Sequence, residues 1–180
     1  MKKNVLIIAT SLRRESNSFT LALAFAEGAK EGGNEVEIVD LHGKDIGFCR
    51  GCLACQTGAA CPLADDAEAI VERMRNADAI AFATPVYFYE MAGQMKVLLD
   101  RSNPLYAVKP AFRDVYLLAT AADENPRVAD GAAKGLEGWI SCFDAARLVG
   151  TVVAAGVDAP GSIEKRLDAV KRARYMGAGV

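Results

Sequence analysis

Three short stretches hold most of the side chains with chemical potential. CRGCLACQTGAAC, residues 49 to 61, places Cys49, Cys52, Cys55 and Cys61, four of the five cysteines, within thirteen positions. Clustered thiols of this kind serve metal binding, disulfide formation or redox catalysis. TSLRRESNS, residues 10 to 18, gathers hydroxyls and two arginines, the side chains that grip an anion. TPVYFY, residues 84 to 89, crowds Tyr87, Phe88 and Tyr89 behind Pro85, which pins the turn and donates no backbone hydrogen bond. General acid–base groups are scarce, since His42 is the one histidine and reads as a surface residue.

Composition narrows the setting. With 180 residues, 52% of them hydrophobic, the chain can bury a core as a single domain, 1–180, without disulfide staples. A net charge of −2 supplies no basic field for nucleic acid, which points to small-molecule partners. No run approaches a membrane span. The apolar stretch Val5 to Ala9 is too short for a signal peptide, and Arg13 and Arg14 follow it rather than precede it. A cytoplasmic protein is expected, and in a reducing cytosol clustered cysteines favour metal or redox chemistry over structural disulfides.

The elements that must position these residues alternate regularly. NVLIIA reads as a strand buried on both faces, and SNSFTLALAFAEGAKEGG as a helix with Ser and Asn cap candidates and a glycine stop. EVEIVDL, DAIAFATPVY, DVYLLAT and RLVGTVVAAG read as further strands. DDAEAIVERMRNA, GQMKVLLDRS, residues 128 to 144 and SIEKRLDAVKRARYMG read as helices. Five βα units predict an α/β fold: a five-stranded parallel sheet, doubly wound and flavodoxin-like, in three α/β/α layers. A long loop, about residues 42 to 63, carries the four clustered cysteines. Cys142, placed in the fourth helix, reads as an inert core thiol. The segments EKRLDAVKRAR and DENPR read as solvated surface.

In such sheets ligands bind beyond the carboxyl ends of the strands, at the switch point between the first and third. TSLRRESNS lies there, ahead of a helix whose free N–H groups attract an anion, and serves either as a phosphate site or as a polar helix cap. It lacks the GxGxxG and GxxxxGKS/T patterns, which argues against nucleotide hydrolysis. The aromatic loop after the third strand either walls a planar ring or covers the sheet edge. A phosphate grip beside an aromatic wall suits a flavin mononucleotide.

At this point a resemblance becomes visible. TSLRRESNS resembles the GSPRxxGNT-type phosphate loop of the NAD(P)H-dependent FMN reductases and iron-sulfur flavoproteins, TPVYF resembles their isoalloxazine loop, and KVLLDR their following K-x-x-x-DR. CRGCLACQTGAACPLADD resembles the cysteine loop and acidic pair of the iron-sulfur flavoproteins. The resemblance implies noncovalent FMN in a homodimer or homotetramer. It assigns Ser11, Arg13, Ser16, Asn17 and Ser18 to the phosphate loop and Pro85, Val86, Tyr87 and Phe88 to the flavin loop. Thr120 and Ala121, in a loop without the family's glycines, are added as contacts. Ser16 and Thr10 stand where the family usually has glycine.

The cysteine loop stays open between a 4Fe-4S cluster on Cys49, Cys52, Cys55 and Cys61, reversible thiol oxidation, and no ligand. Zinc, which prefers two separated C-x2-C knuckles, is a poor match. The expected function is an FMN-dependent oxidoreductase. It takes electrons from NAD(P)H or a reduced ferredoxin and passes them to a flavin, quinone or similar acceptor, with any cluster as a one-electron relay. The rival readings are an electron-transfer module without turnover and a flavin-free thiol redox sensor. FMN would carry the electrons. No residue pattern assigns a proton transfer to Tyr87 or Tyr89.

Overall fold

The computed structural model describes residues 2–180. Strand β1 (Asn4–Ala9) leads into helix α1 (Asn17–Glu31), then strand β2 (Glu35–Asp40) and, past the cysteine loop, helix α2 (Ala67–Asn76). Strand β3 (Ala79–Tyr87) is followed by a two-residue strand β4 (Glu90–Met91), helix α3 (Gly93–Arg101) and strand β5 (Asp114–Thr120). Helix α4 (Asp130–Ile140), strand β6 (Arg147–Ala154) and helix α5 (Leu167–Ala178) complete the chain. Five strands run parallel in the order β2-β1-β3-β5-β6, and β4 adds an antiparallel rung to the end of β3. The sheet is therefore doubly wound, with its switch point between β1 and β3.

Side-chain alternation explains why the strands read as unbroken apolar runs. Val5 and Ile7 face α1 and α5, whereas Leu6 and Ile8 face the side covered by α2, α3 and α4. In β3, Ala79, Ala81 and Ala83 take the first face and Ile80 and Phe82 the second. The central strands β1, β3 and β5 are buried on both sides, as parallel sheets require, whereas the edge strands β2 and β6 are partly exposed. Small residues on the α1–α5 face bring those helices close. A Cβ on Gly28 would collide with the Arg174 carbonyl, and one on Gly177 with the Phe25 carbonyl. Among the described residues no helix is long and apolar enough to cross a membrane.

Three details depart from the sequence reading. α4 stops at Ile140, where the Ser141 N–H bonds the Glu137 carbonyl, and Cys142 lies exposed in the following turn. Phe143, rather than the thiol, fills the core space here, packing edge-on to Phe112 and Trp139. The fifth helical segment begins as a tight turn over Ser162–Arg166 before α5. In its charged stretch, Arg166 and Arg172 are not wholly solvated: they donate to the Ala155 carbonyl at 2.6 Å and the Val153 carbonyl at 3.0 Å. β4 is the third departure. It closes a hairpin whose two turn residues, Phe88 and Tyr89, both have positive φ, 52° and 64°. Two-residue hairpins need that geometry, but it is normally supplied by Asn-Gly or Gly-Gly, so the turn carried no recognisable signal.

Candidate functional site

The loops after β1, β3 and β5 converge on one cleft of about 200 Å³ at the carboxyl edge of the sheet. Ser11, Arg13, Ser16 and Asn17 line one end. Ser16 caps α1, its Oγ accepting from the Phe19 N–H at 3.4 Å and sharing a 2.8 Å hydrogen bond with Ser18 Oγ. Ser18 is thereby buried beneath the cap rather than in the cleft. α1 has no acidic residue in its first turn, so its N-terminal N–H groups and dipole keep their attraction for an anion.

Pro85, Val86 and Tyr87 line the second wall, and Thr120, Ala121 and Ala122 the third. The third wall carries only small side chains, Thr120, Ala121 and Ala122. Phe88 does not reach it, because the left-handed turn points the ring outward and leaves it fully exposed. Tyr89 instead ties the β3 loop to the loop after β5, donating from its hydroxyl to Asp123 at 2.7 Å. That hydrogen bond raises the Tyr89 hydroxyl pKa above the ordinary tyrosine value. Tyr87, not Tyr89, is the tyrosine that lines the cleft.

A fourth wall was not foreseen. Val157, Asp158 and Pro160, after β6, close the cleft beside the phosphate loop. Arg13 donates to the Asp158 carbonyl at 3.0 Å and lies 3.8 Å from its carboxylate. Asn17 donates to the Ala159 carbonyl at 3.0 Å and accepts from the Ile163 N–H at 3.1 Å. The Gly and Pro of GVDAPGS were the available signal, at the carboxyl end of a strand where this fold class binds ligands.

The cysteine loop forms a separate site. Cys49, Cys52, Cys55 and Cys61 all line one small pocket, together with Arg101 and Asn103. Burial, reinforced by the other three thiols, pushes the Cys55 thiol above its ordinary value. Among the described residues no three His, Cys, Asp or Glu side chains are gathered to hold a single metal ion. The thiols surround the pocket instead of meeting at a point. N–H donors already lie on the first and last sulfurs: Gly51 N at 3.5 Å and Asn103 Nδ2 at 3.7 Å from Cys49, and Arg101 Nη2 at 3.5 Å from Cys61. Four thiols facing one pocket, two of them with N–H groups on their sulfurs, form a donor set whose chemistry fits an iron-sulfur cluster. His42 is exposed and belongs to neither site.

A family model described as NADPH-dependent FMN reductase matches residues 3–159. The chain belongs to that family. Its curated relatives include an iron-sulfur flavoprotein of Methanocaldococcus jannaschii, 38% identical over 101 residues, 56% of this chain and 52% of that one. An iron-sulfur flavoprotein of Archaeoglobus fulgidus is 42% identical over 87 residues, covering 48% of this chain and 43% of that one. The chain thus spans about half the length of the curated relatives it matches. Among solved structures, the NAD(P)H:quinone oxidoreductase from Methanothermobacter marburgensis superposes with a TM-score of 0.74 at 21% identity, covering 99% of this chain and 98% of that one. An azoreductase from Bacillus anthracis gives 0.75 at 16%, with coverage of 99% and 100%. At those identities the likeness carries the fold, which is flavodoxin-like as the sequence reading expected.

Proposed function

We propose that residues 1–180 act as one FMN-dependent oxidoreductase unit, taking electrons from NAD(P)H or a reduced ferredoxin and passing them to a flavin, quinone or similar acceptor. One observation carries the reading: a helix N-terminus with Ser11, Arg13 and Ser16, and a Pro-Val-Tyr wall on the neighbouring strand, open into the same cleft at the switch point. That is a phosphate end joined to a flat ring end, the two halves of FMN.

In this reading Ser11 and Ser16 donate to the phosphate, Arg13 neutralises it, and Asn17 holds the β6 loop in place against it. Pro85, Val86 and Tyr87 cover one face of the ring, and Thr120, Ala121 and Ala122 border its edge. The walls exclude water from one side and leave the other accessible to a donor. Bound FMN supplies hydride acceptance and release of one or two electrons. The chain supplies binding, orientation and a field.

The cysteine pocket favours a second, compatible element: a 4Fe-4S cluster on Cys49, Cys52, Cys55 and Cys61, which extends the chemistry to one-electron partners. A cytoplasmic homodimer or homotetramer acting on small molecules completes the proposal. Anaerobic purification followed by an absorption spectrum, flavin extraction and iron and sulfide analysis tests both cofactors. Steady-state NAD(P)H oxidation with FMN, ferricyanide or a quinone as acceptor tests the activity. Flavin-loaded protein without turnover toward any of the three would favour an electron-transfer module. Colourless protein that takes up no FMN would sink the flavin reading.

A further inference from the structure

Arg101 ends α3, yet its guanidinium is spent on the cysteine loop. The residue is 4% exposed. Nη1 donates to the Gly47 carbonyl at 2.8 Å and lies 2.5 Å from Asp65 Oδ2. Nη2 donates to Asp65 Oδ1 at 2.9 Å, to the Leu63 carbonyl at 3.3 Å and to Cys61 Sγ at 3.5 Å. Gly47 precedes the first of the four clustered cysteines, and Leu63 and Asp65 follow the last, so one planar group holds both arms of the loop. Asp65 completes the ring by accepting from the Gly47 N–H at 2.9 Å and the Ala67 N–H at 3.0 Å. Beside it, Asp45 and Asp66 exchange two further hydrogen bonds across the same arms.

Stability alone does not explain this arrangement, because a buried ion pair contributes little net stability over apolar residues of similar size. Its geometry does explain something else. We propose that Arg101 is a positioning residue for the four-cysteine pocket: it closes the loop into a ring before any metal arrives and holds a charged N–H donor against the Cys61 sulfur. The inference rests on the cluster reading of the pocket for its charge role, while the closure itself concerns the protein alone. Lysine cannot replace arginine here, since a single ammonium lacks the fork that reaches Gly47, Asp65, Leu63 and Cys61 together.

The test compares wild type with Arg101→Lys and with the double variant Arg101→Met/Asp65→Asn, which removes both charges and so avoids an orphaned carboxylate. Hydrogen exchange of the apo proteins reads the closure directly. Residues 47 to 65 are expected to lose protection in both variants, while β1, β3 and FMN content stay as in wild type. Anaerobic reconstitution with ferrous iron and sulfide reads the pocket, with cluster affinity expected to fall about 10- to 100-fold. In the fraction that loads, the double variant should show a more negative cluster potential and Arg101→Lys a smaller change, a difference that loop order alone would not produce. Unchanged loop protection in both variants overturns the inference whatever the iron content. An unchanged potential in the double variant overturns the charge role. Wild type that takes up no iron, with protection still lost in the variants, sinks the cluster reading and leaves the closure standing.

Discussion

Arg13 reaches across the cleft to Asp158 yet keeps half of its side chain exposed, so the guanidinium is available to an arriving phosphate. Charge-assisted hydrogen bonds are worth about 1.5–3 kcal/mol. Arg13→Gln should therefore weaken FMN binding about 10- to 100-fold and leave riboflavin, which has no phosphate, nearly unaffected; flavin fluorescence quenching measures both. Asp65 makes a second prediction. Its hydrogen bonds with Arg101 hold the carboxyl below the ordinary carboxylate value, against the opposing effect of burial. A depressed folded-state pKa stabilises the fold above the unfolded value, near 4, and that contribution disappears as pH falls through the folded value. Urea midpoints of wild type should drop on acidification below about pH 4. Asp65→Ala should lose that part of the pH dependence and, by stranding Arg101, cost about 3–5 kcal/mol at neutral pH. Neither partner of this pair was singled out from the sequence as a site residue. Arg101 sat inside KVLLDR and Asp65 inside an acidic pair, but their contact spans 36 positions and leaves no local pattern.

Elements were more legible than pairs. NVLIIA and DVYLLAT mark β1 and β5 residue for residue, because a strand covered on both faces needs an unbroken apolar run. The sequence pattern overextends α4 because nothing in the spacing distinguishes Cys142 from Phe143 as the residue that turns inward. The β3–β4 hairpin was invisible for a different reason: two aromatic residues occupy a turn that glycine normally makes. Holding such residues in the left-handed region costs about 1–2 kcal/mol each. Phe88→Gly should accordingly stabilise the isolated chain by about 1 kcal/mol, read from urea unfolding, since the lost ring touches little. The α1–α5 crossing makes the opposite prediction. Gly28→Ala or Gly177→Ala places a methyl against a facing backbone carbonyl and should destabilise by about 1–3 kcal/mol, with the two helices forced apart.

At the scale of the whole molecule, four loops from one edge of the sheet line the cleft proposed for FMN, so binding there should be felt as global stability. FMN at about 100 times its dissociation constant should add about 2.7 kcal/mol, and at about 2–4 °C per kcal/mol this raises the Tm by roughly 5–10 °C in a thermal melt. The β6 loop contributes to that coupling through Asn17, 142 positions from the Ala159 carbonyl it binds. What the sequence by itself determined was much of what near neighbours govern: alternating strands and helices, burial on both faces of the central strands, a polar loop ahead of a helix, an aromatic loop after a proline, and a cysteine spacing short enough to ring one pocket. What only the tertiary structure decided was which distant groups meet. The fourth wall of the cleft, the outward turn of Phe88, the exposure of Cys142 and the guanidinium closing the cysteine loop all depend on it. Periodicity records which side of an element faces the core, because burial is set residue by residue along a strand or helix. A buried charge finds its partner through the packing of whole elements, and that choice is written across the chain rather than along it.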